Sequence, residues 1–221
     1  MKKTKKKIAL IAALMCLTFT ASAQEYFESD GIVYGITSEQ TVEVLSNYYL
    51  HNTPYSGSIV IPQTVEENDI TYTVTALAES AFESCTTVTS LTLPATIRSI
   101  GSHCFYNCSF TSLQLPDSLR VIADHAFLYS QVASLHLPAG FEEYGDCAFW
   151  ARNLTSITVD EANPRYRSID GWLYSKDSTI LCIVPDGVTE TSRCHHSCGN
   201  WEIWRSGSTA ILPQRRCPKG W

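Results

Sequence analysis

A mostly-β solenoid of stacked parallel strands, with short helical turns on its return side and a β-rich N-terminal cap, is the fold class this sequence predicts. Three observations lead there. One phrase recurs every 22 residues: Val88-Thr89-Ser90-Leu91-Thr92-Leu93-Pro94, Phe110-Thr111-Ser112-Leu113-Gln114-Leu115-Pro116, Val132-Ala133-Ser134-Leu135-His136-Leu137-Pro138 and, weakened, Leu154-Thr155-Ser156-Ile157-Thr158-Val159-Asp160. The second half of each unit keeps the same register. Ile97, Leu119 and Phe141 stand three after the proline and Ile100, Ile122 and Tyr144 six after it, while the aromatic of Cys104-Phe105, Ala126-Phe127 and Ala148-Phe149 stands eleven after it. Finally, Leu-x-Leu-Pro alternates apolar and polar residues as a short strand does, and the proline ends it because it has no N–H for a ladder. A fixed period of this length marks a chain built from stacked repeats.

The repeat sets the energetics. Each coil offers about six apolar side chains, worth roughly 1.5–3 kcal/mol apiece when buried. Ordering the coil costs about 1.5 kcal/mol for each residue. One coil alone therefore loses, and only coil-on-coil stacking with shared interfaces holds the array.

Taken in order, residues 1–23 read as a secretory signal peptide. Lys2, Lys3, Lys5, Lys6 and Lys7 precede an apolar run from Ile8 to Phe19, and Ala21-Ser22-Ala23 gives a small-x-small cleavage pattern before Gln24. The apolar run is too short for a transmembrane span, and Met15 before Cys16 argues against a lipoprotein signal. Removal of the five lysines leaves 11 Lys+Arg against 22 Asp+Glu, a net charge near −11. That excess opposes binding to nucleic acid or, unaided, to anionic lipid. No later stretch is long and apolar enough for a transmembrane helix, so the expected location is secreted, periplasmic or cell-surface.

Residues 24–57 read as the cap, with strands at Tyr26–Tyr34 and Thr41–Val44 and a turn at Asp30-Gly31. The solenoid is expected over 58–189. Its first unit opens at Ile59-Val60-Ile61-Pro62 and reaches Ala81-Phe82 after an insertion, Glu66 to Val74, read as a hairpin. Further units start near 88, 110, 132 and 154. The last departs into two strands within 166–185, around the polar turn Ser175-Lys176-Asp177-Ser178.

Leu-x-Leu-Pro, Ile-Gly-x-x-Ala-Phe and the segment Ser168-Ile169-Asp170-Gly171-Trp172-Leu173-Tyr174-Ser175-Lys176-Asp177 resemble the BspA-like, or type-5, leucine-rich-repeat surface proteins common in Bacteroidetes. The resemblance covers roughly residues 25–189. It implies a parallel-sheet solenoid, export, and a role in adhesion or host-matrix binding, without fixing one ligand.

Residues 190–221 break the pattern. Cys194, His195, His196, Cys198 and Cys217 have the residue types of a metal site, but one compact pair is weak evidence for it. The preferred reading is a frame break. Shifted one nucleotide upstream, the codons of Asn200-Trp201, Trp201-Glu202 and Ile203-Trp204 give Leu, Gly and Leu or Met. Trp204-Arg205 then gives alanine if the arginine codon begins CG, which restores the family's Gly-x-x-Ala phrase.

Other constellations receive modest roles. Cys85 and Cys108 share a register whose spacing would permit a disulfide, and buried thiols are the favoured reading; Cys104 takes the place of a buried alanine. The column His103, His125, Cys147 is read as outward and solvated. No nucleophile elbow, phosphate loop or cofactor motif occurs, so no enzyme activity and no cofactor are assigned. What remains is the exposed sheet face. Ser90, Ser112, Ser134 and Ser156 form one column there, and Thr92, Gln114, His136 and Thr158 its neighbour. Such an array suits a protein or glycan partner, the host extracellular matrix included, while a spacer holding another domain away from the cell is the alternative.

Overall fold

The computed structural model describes residues 26–185. The expected leader and the atypical tail lie outside these residues. Strands β1 (Tyr26–Ser29) and β2 (Ile32–Ser38) form an antiparallel hairpin through Asp30 and Gly31, both at positive φ (50° and 75°). Asp-Gly is a preferred pair for such a turn. Strand β3 (Thr41–Val44) pairs antiparallel with β2, and a 3-10 turn at Asn47–Tyr49 leads into β4 (Gly57–Val60). Strands β5 (Thr64–Glu67) and β6 (Ile70–Leu77) form a second hairpin, turning at Asn68 and Asp69.

From here the chain coils. Strands β7 (Val88–Thr92), β8 (Ser99–Ile100), β9 (Val121–Ile122), β10 (Ser134–Leu137), β11 (Glu143–Tyr144) and β12 (Ser156–Val159) follow, before β13 (Tyr166–Ile169), β14 (Trp172–Ser175) and β15 (Leu181–Ile183) close the described region as an antiparallel sheet. Each coil carries two strand positions, a front one at Leu-x-Leu and a side one at the second apolar pair. The side ladder is continuous: β3, β6, β8, β9 and β11 pair in parallel, so that Val44, Leu77, Ile100, Ile122 and Tyr144 superpose. Of these only Tyr144 is not fully buried.

The front ladder is split. β4 pairs with β7 and β10 with β12, both in parallel. Between them, residues 110–116 form no strand, and no main-chain hydrogen bond joins Ser112–Leu115 to a neighbouring coil. Leu91, Leu113, Leu135 and Ile157 nevertheless all enter one core. The coil that breaks ranks begins with Phe110, where its neighbours have Val88 and Val132. The Phe110 ring stands edge-on to Phe105 at 5.5 Å, so a larger side chain occupies the corner from which the strand would start.

The return side consists of tight turns rather than helices. Ser80, Ser84, His103, Asn107, His125, Tyr129 and Cys147 all sit at positive φ, between 52° and 59°. A left-handed residue every fourth position prevents a right-handed helix from propagating. The turns instead bond from coil to coil: Phe82 N–H donates to Cys104 O (2.9 Å), Phe105 to Ala126 (2.8 Å) and Phe127 to Ala148 (2.9 Å). Beneath them Phe82, Phe105, Phe127 and Phe149 stack at 5.9, 5.1 and 6.4 Å. This ladder and its aromatic spine tie the coils together.

Tyr55 joins the N-terminal strands to the coils. Its ring lies 5.1 Å from Phe82, its hydroxyl donates to Leu45 O and it accepts from Val33 N–H, both at 2.9 Å. Tyr34 is different: it is fully buried and its hydroxyl has no partner. A buried polar group without a bond costs more than an apolar one of the same shape. Tyr34→Phe is therefore expected to leave stability unchanged or raise it by about 1 kcal/mol; urea unfolding reads the difference, and a clear loss would show that the hydroxyl is bonded.

Candidate functional site

The exposed front face carries the candidate residues, and the split ladder divides them. On β7, Ser90 and Thr92 are exposed and register with Ser58 and Val60 of β4; the Ser58 and Ser90 hydroxyls bond to each other at 2.7 Å. On β10 and β12, Ser134 faces Ser156 and His136 faces Thr158, with His136 Nδ1 and Thr158 Oγ1 at 2.9 Å. The Thr158 hydroxyl also lies 3.4 Å from Leu135 O.

Three members depart from the expected columns. Ser112 and Gln114 are exposed but belong to the unpaired coil, so they do not join the β7 and β10 rows into one sheet. Ser156 is half-buried because the β13–β14 turn folds over it. Gly171 O accepts from Ile157 N–H at 2.8 Å, and a Cβ at Gly171 would come within 3.0 Å of Ser156 Oγ. The usable polar rows are thus two short ones, Ser90 with Thr92 and Ser134 with His136 and Thr158. They present hydroxyls and one imidazole along shallow, rigid strands, an arrangement that can recognise a partner by hydrogen bonds.

The column at His103 and His125 is half-buried rather than fully solvated. The two imidazoles stack at 5.0 Å with planes 8° apart. Cys85, Cys104 and Cys108 are buried thiols, and Cys108 Sγ donates to Phe82 O at 2.9 Å. Burial pushes the Cys85 thiol up to about 11 and raises Cys104 and Cys108 as well, with neighbouring thiols adding to the effect. They stay protonated near neutrality and serve packing, since the thiolate is the nucleophile. Among the described residues no group of three or more His, Cys, Asp or Glu is placed to hold a metal ion, and no helix is long and apolar enough to cross a membrane.

Parallel coils, a shared apolar interior and a front row of Leu-x-Leu strands define a leucine-rich-repeat protein. The chain belongs to the family described as the BspA type leucine rich repeat region, whose model matches six copies over residues 46–180. Among solved structures it is similar to a leucine-rich repeat protein from Bacteroides ovatus at 31% identity and a TM-score of 0.50, covering 62% of this chain and 38% of that one. It is also similar to one from Bacteroides capillosus, at 23% identity and a TM-score of 0.49, over 61% of this chain and 98% of that one. A third, from Eubacterium ventriosum, is 20% identical with a TM-score of 0.49, over 77% of this chain and 53% of that one. No curated protein matches the chain.

Proposed function

We propose that this chain is an exported recognition scaffold that binds a protein or glycan partner, host extracellular matrix included, through its front face and catalyses nothing. The supporting observation is the β10–β12 row, where Ser134, His136 and Thr158 are held in parallel register on a rigid ladder. A second short row at Ser90 and Thr92 lies on the same face of the repeat. Shallow polar strands of this kind suit many weak contacts with a partner. Export rests on the leader-like residues 1–23, with residues 24–57 as cap and 58–189 as solenoid.

The test is a binding screen against matrix proteins and glycans, with Ser134→Arg plus His136→Glu as the altered face. Both residues are exposed, so the fold is expected to survive. The paired change should weaken a front-face partner at least about tenfold, since each 1.4 kcal/mol of lost contact is a factor of ten. Undiminished binding by the folded variant would remove the front face from the site.

A further inference from the structure

The geometry points to a second binding surface, on the turn side of the coils: a row of aromatic side chains that takes a neutral, extended glycan. The inference rests on the chain being an exported recognition scaffold, but it uses a different side of the coil from the front strands.

The row runs across three coils. His103 stacks on His125, and its ring lies 5.9 Å from Tyr106. Tyr106 meets Tyr129 at 5.8 Å with planes 61° apart, and Tyr129 meets Trp150 at 6.2 Å and 58°. The Arg152 guanidinium carbon sits 4.9 Å from the Tyr129 ring centre. Tyr129 is 36% exposed, so a large ring is held outward where the same turns bury Phe105, Phe127 and Phe149. None of these rings belongs to the apolar cluster that fills the coils.

The platform is fixed before any ligand arrives. Asn107 N–H donates to Leu128 O at 3.0 Å, His125 to Asp146 at 2.8 Å and Tyr129 to Trp150 at 2.8 Å. The left-handed backbone at His103, Asn107, His125 and Tyr129 sets the direction of each side chain. A surface ordered in this way loses little entropy on binding.

Chemistry selects the occupant. The electron-rich faces of aromatic rings attract the weakly positive C–H faces of pyranose rings. Exposed Asn107, next to Tyr106 in the chain, offers an amide to sugar hydroxyls, and exposed Asp124, whose Oδ1 accepts from Asp146 N–H at 2.6 Å, offers its other carboxylate oxygen. Successive coils lie about 4.8 Å apart, a repeat of the same order as one sugar unit along an extended glycan. Charge decides against polyanions: Asp and Glu outnumber Lys and Arg by 22 to 16 even with the leader counted. A row one ring wide is also narrow for the desolvated centre of a protein interface.

The experiment is a titration of the purified chain with soluble neutral oligosaccharides, both β-linked and α-linked, alongside sulfated oligosaccharides and matrix proteins. Calorimetry gives affinity, and tryptophan fluorescence reports on the Trp150 ring. At least one neutral oligosaccharide is expected to bind, with Tyr129→Ala weakening it roughly tenfold and Tyr106→Ala several-fold, in line with aromatic contact energies. Trp150→Ala should weaken oligosaccharide binding several-fold and abolish the ligand-dependent fluorescence change of that ring. Arg152→Ala, an exposed substitution, checks the same surface if a ring variant melts early. The front-face pair Ser134→Arg and His136→Glu should bind the oligosaccharide as the parent does. The inference is overturned if no neutral oligosaccharide binds, if a folded Tyr129→Ala chain binds undiminished, or if the row takes a sulfated glycan or a protein instead. Loss in the front-face variant alone would overturn it while leaving the front-face reading intact.

Discussion

Asn163→Ala is expected to destabilise the chain by about 4 kcal/mol, since every stranded buried polar group costs roughly 1–3 kcal/mol. Asn163 is fully buried in the bend between β12 and β13. Its amide nitrogen donates to Pro138 O (3.0 Å) and Phe141 O (2.9 Å), and its oxygen accepts from the Arg165 and Tyr166 N–H groups, both at 2.9 Å. One side chain thus pins the closing hairpin to the preceding coil. Alanine removes that partner from Phe141 O and from the Arg165 and Tyr166 N–H groups, while Pro138 O keeps the Phe141 N–H at 3.0 Å. Hydrogen exchange should speed first in residues 163–175, because Tyr166 packs on Phe141 and Tyr144 only while the bend is held. Asn163→Asp separates packing from hydrogen bonding. Full burial and two facing carbonyl oxygens favour the protonated acid more than the two N–H donors favour the carboxylate, so its folded-state pKa lies above the unfolded one. The variant's deficit should therefore shrink as pH falls and grow as pH rises. A pH-independent deficit would show that the contacts to Pro138 and Phe141 do not matter.

Gly101→Ala should cost about 3 kcal/mol or more, as over-packing against backbone does. A Cβ there would lie 2.5 Å from both Ala78 C and Glu79 N and 2.7 Å from Ala78 O, all main-chain atoms of the adjacent coil. Neither coil can yield without lengthening the Gly101 N–H bond to Leu77 O, now 2.8 Å. The same clash stands next to the Leu77–Ile100 pairing of the side ladder. Thermal unfolding of the variant beside the parent reads the loss. Parental stability would mean that adjacent coils stand further apart than described.

The repeat period and its apolar positions were legible because residues such as Ile97, Leu119 and Phe141 recur at fixed spacing and share one interior. Other features left weaker traces. The side strands Ser99–Ile100, Val121–Ile122 and Glu143–Tyr144 are two residues long, too short for alternation to distinguish strand from turn. The break in the front ladder coincides with Phe110 standing where the adjacent coils have Val88 and Val132, a change that keeps the apolar pattern and alters only volume. Ser156 looked equivalent to Ser134, yet a turn fifteen residues later in the chain covers it. The outer aromatics were hidden by their own spacing. Tyr106 and Trp150 stand two periods of 22 apart in one column, but Leu128 lies between them and Tyr129 stands one residue off it, so no unbroken aromatic column shows in the sequence. Their rings meet diagonally because aromatic side chains reach beyond the residue directly opposite.

The coils are joined through an unbroken ladder on the turn and side faces, with the front face divided at residues 112–115. Residue-resolved hydrogen exchange of the native chain tests it most directly. Strong protection is expected at the amides of Phe82, Ser84, Phe105, Asn107, Phe127 and Tyr129, and rapid exchange at Leu113, Gln114 and Leu115. Rapid exchange along the turn series, or protection of 113–115 equal to that of β10, would contradict it.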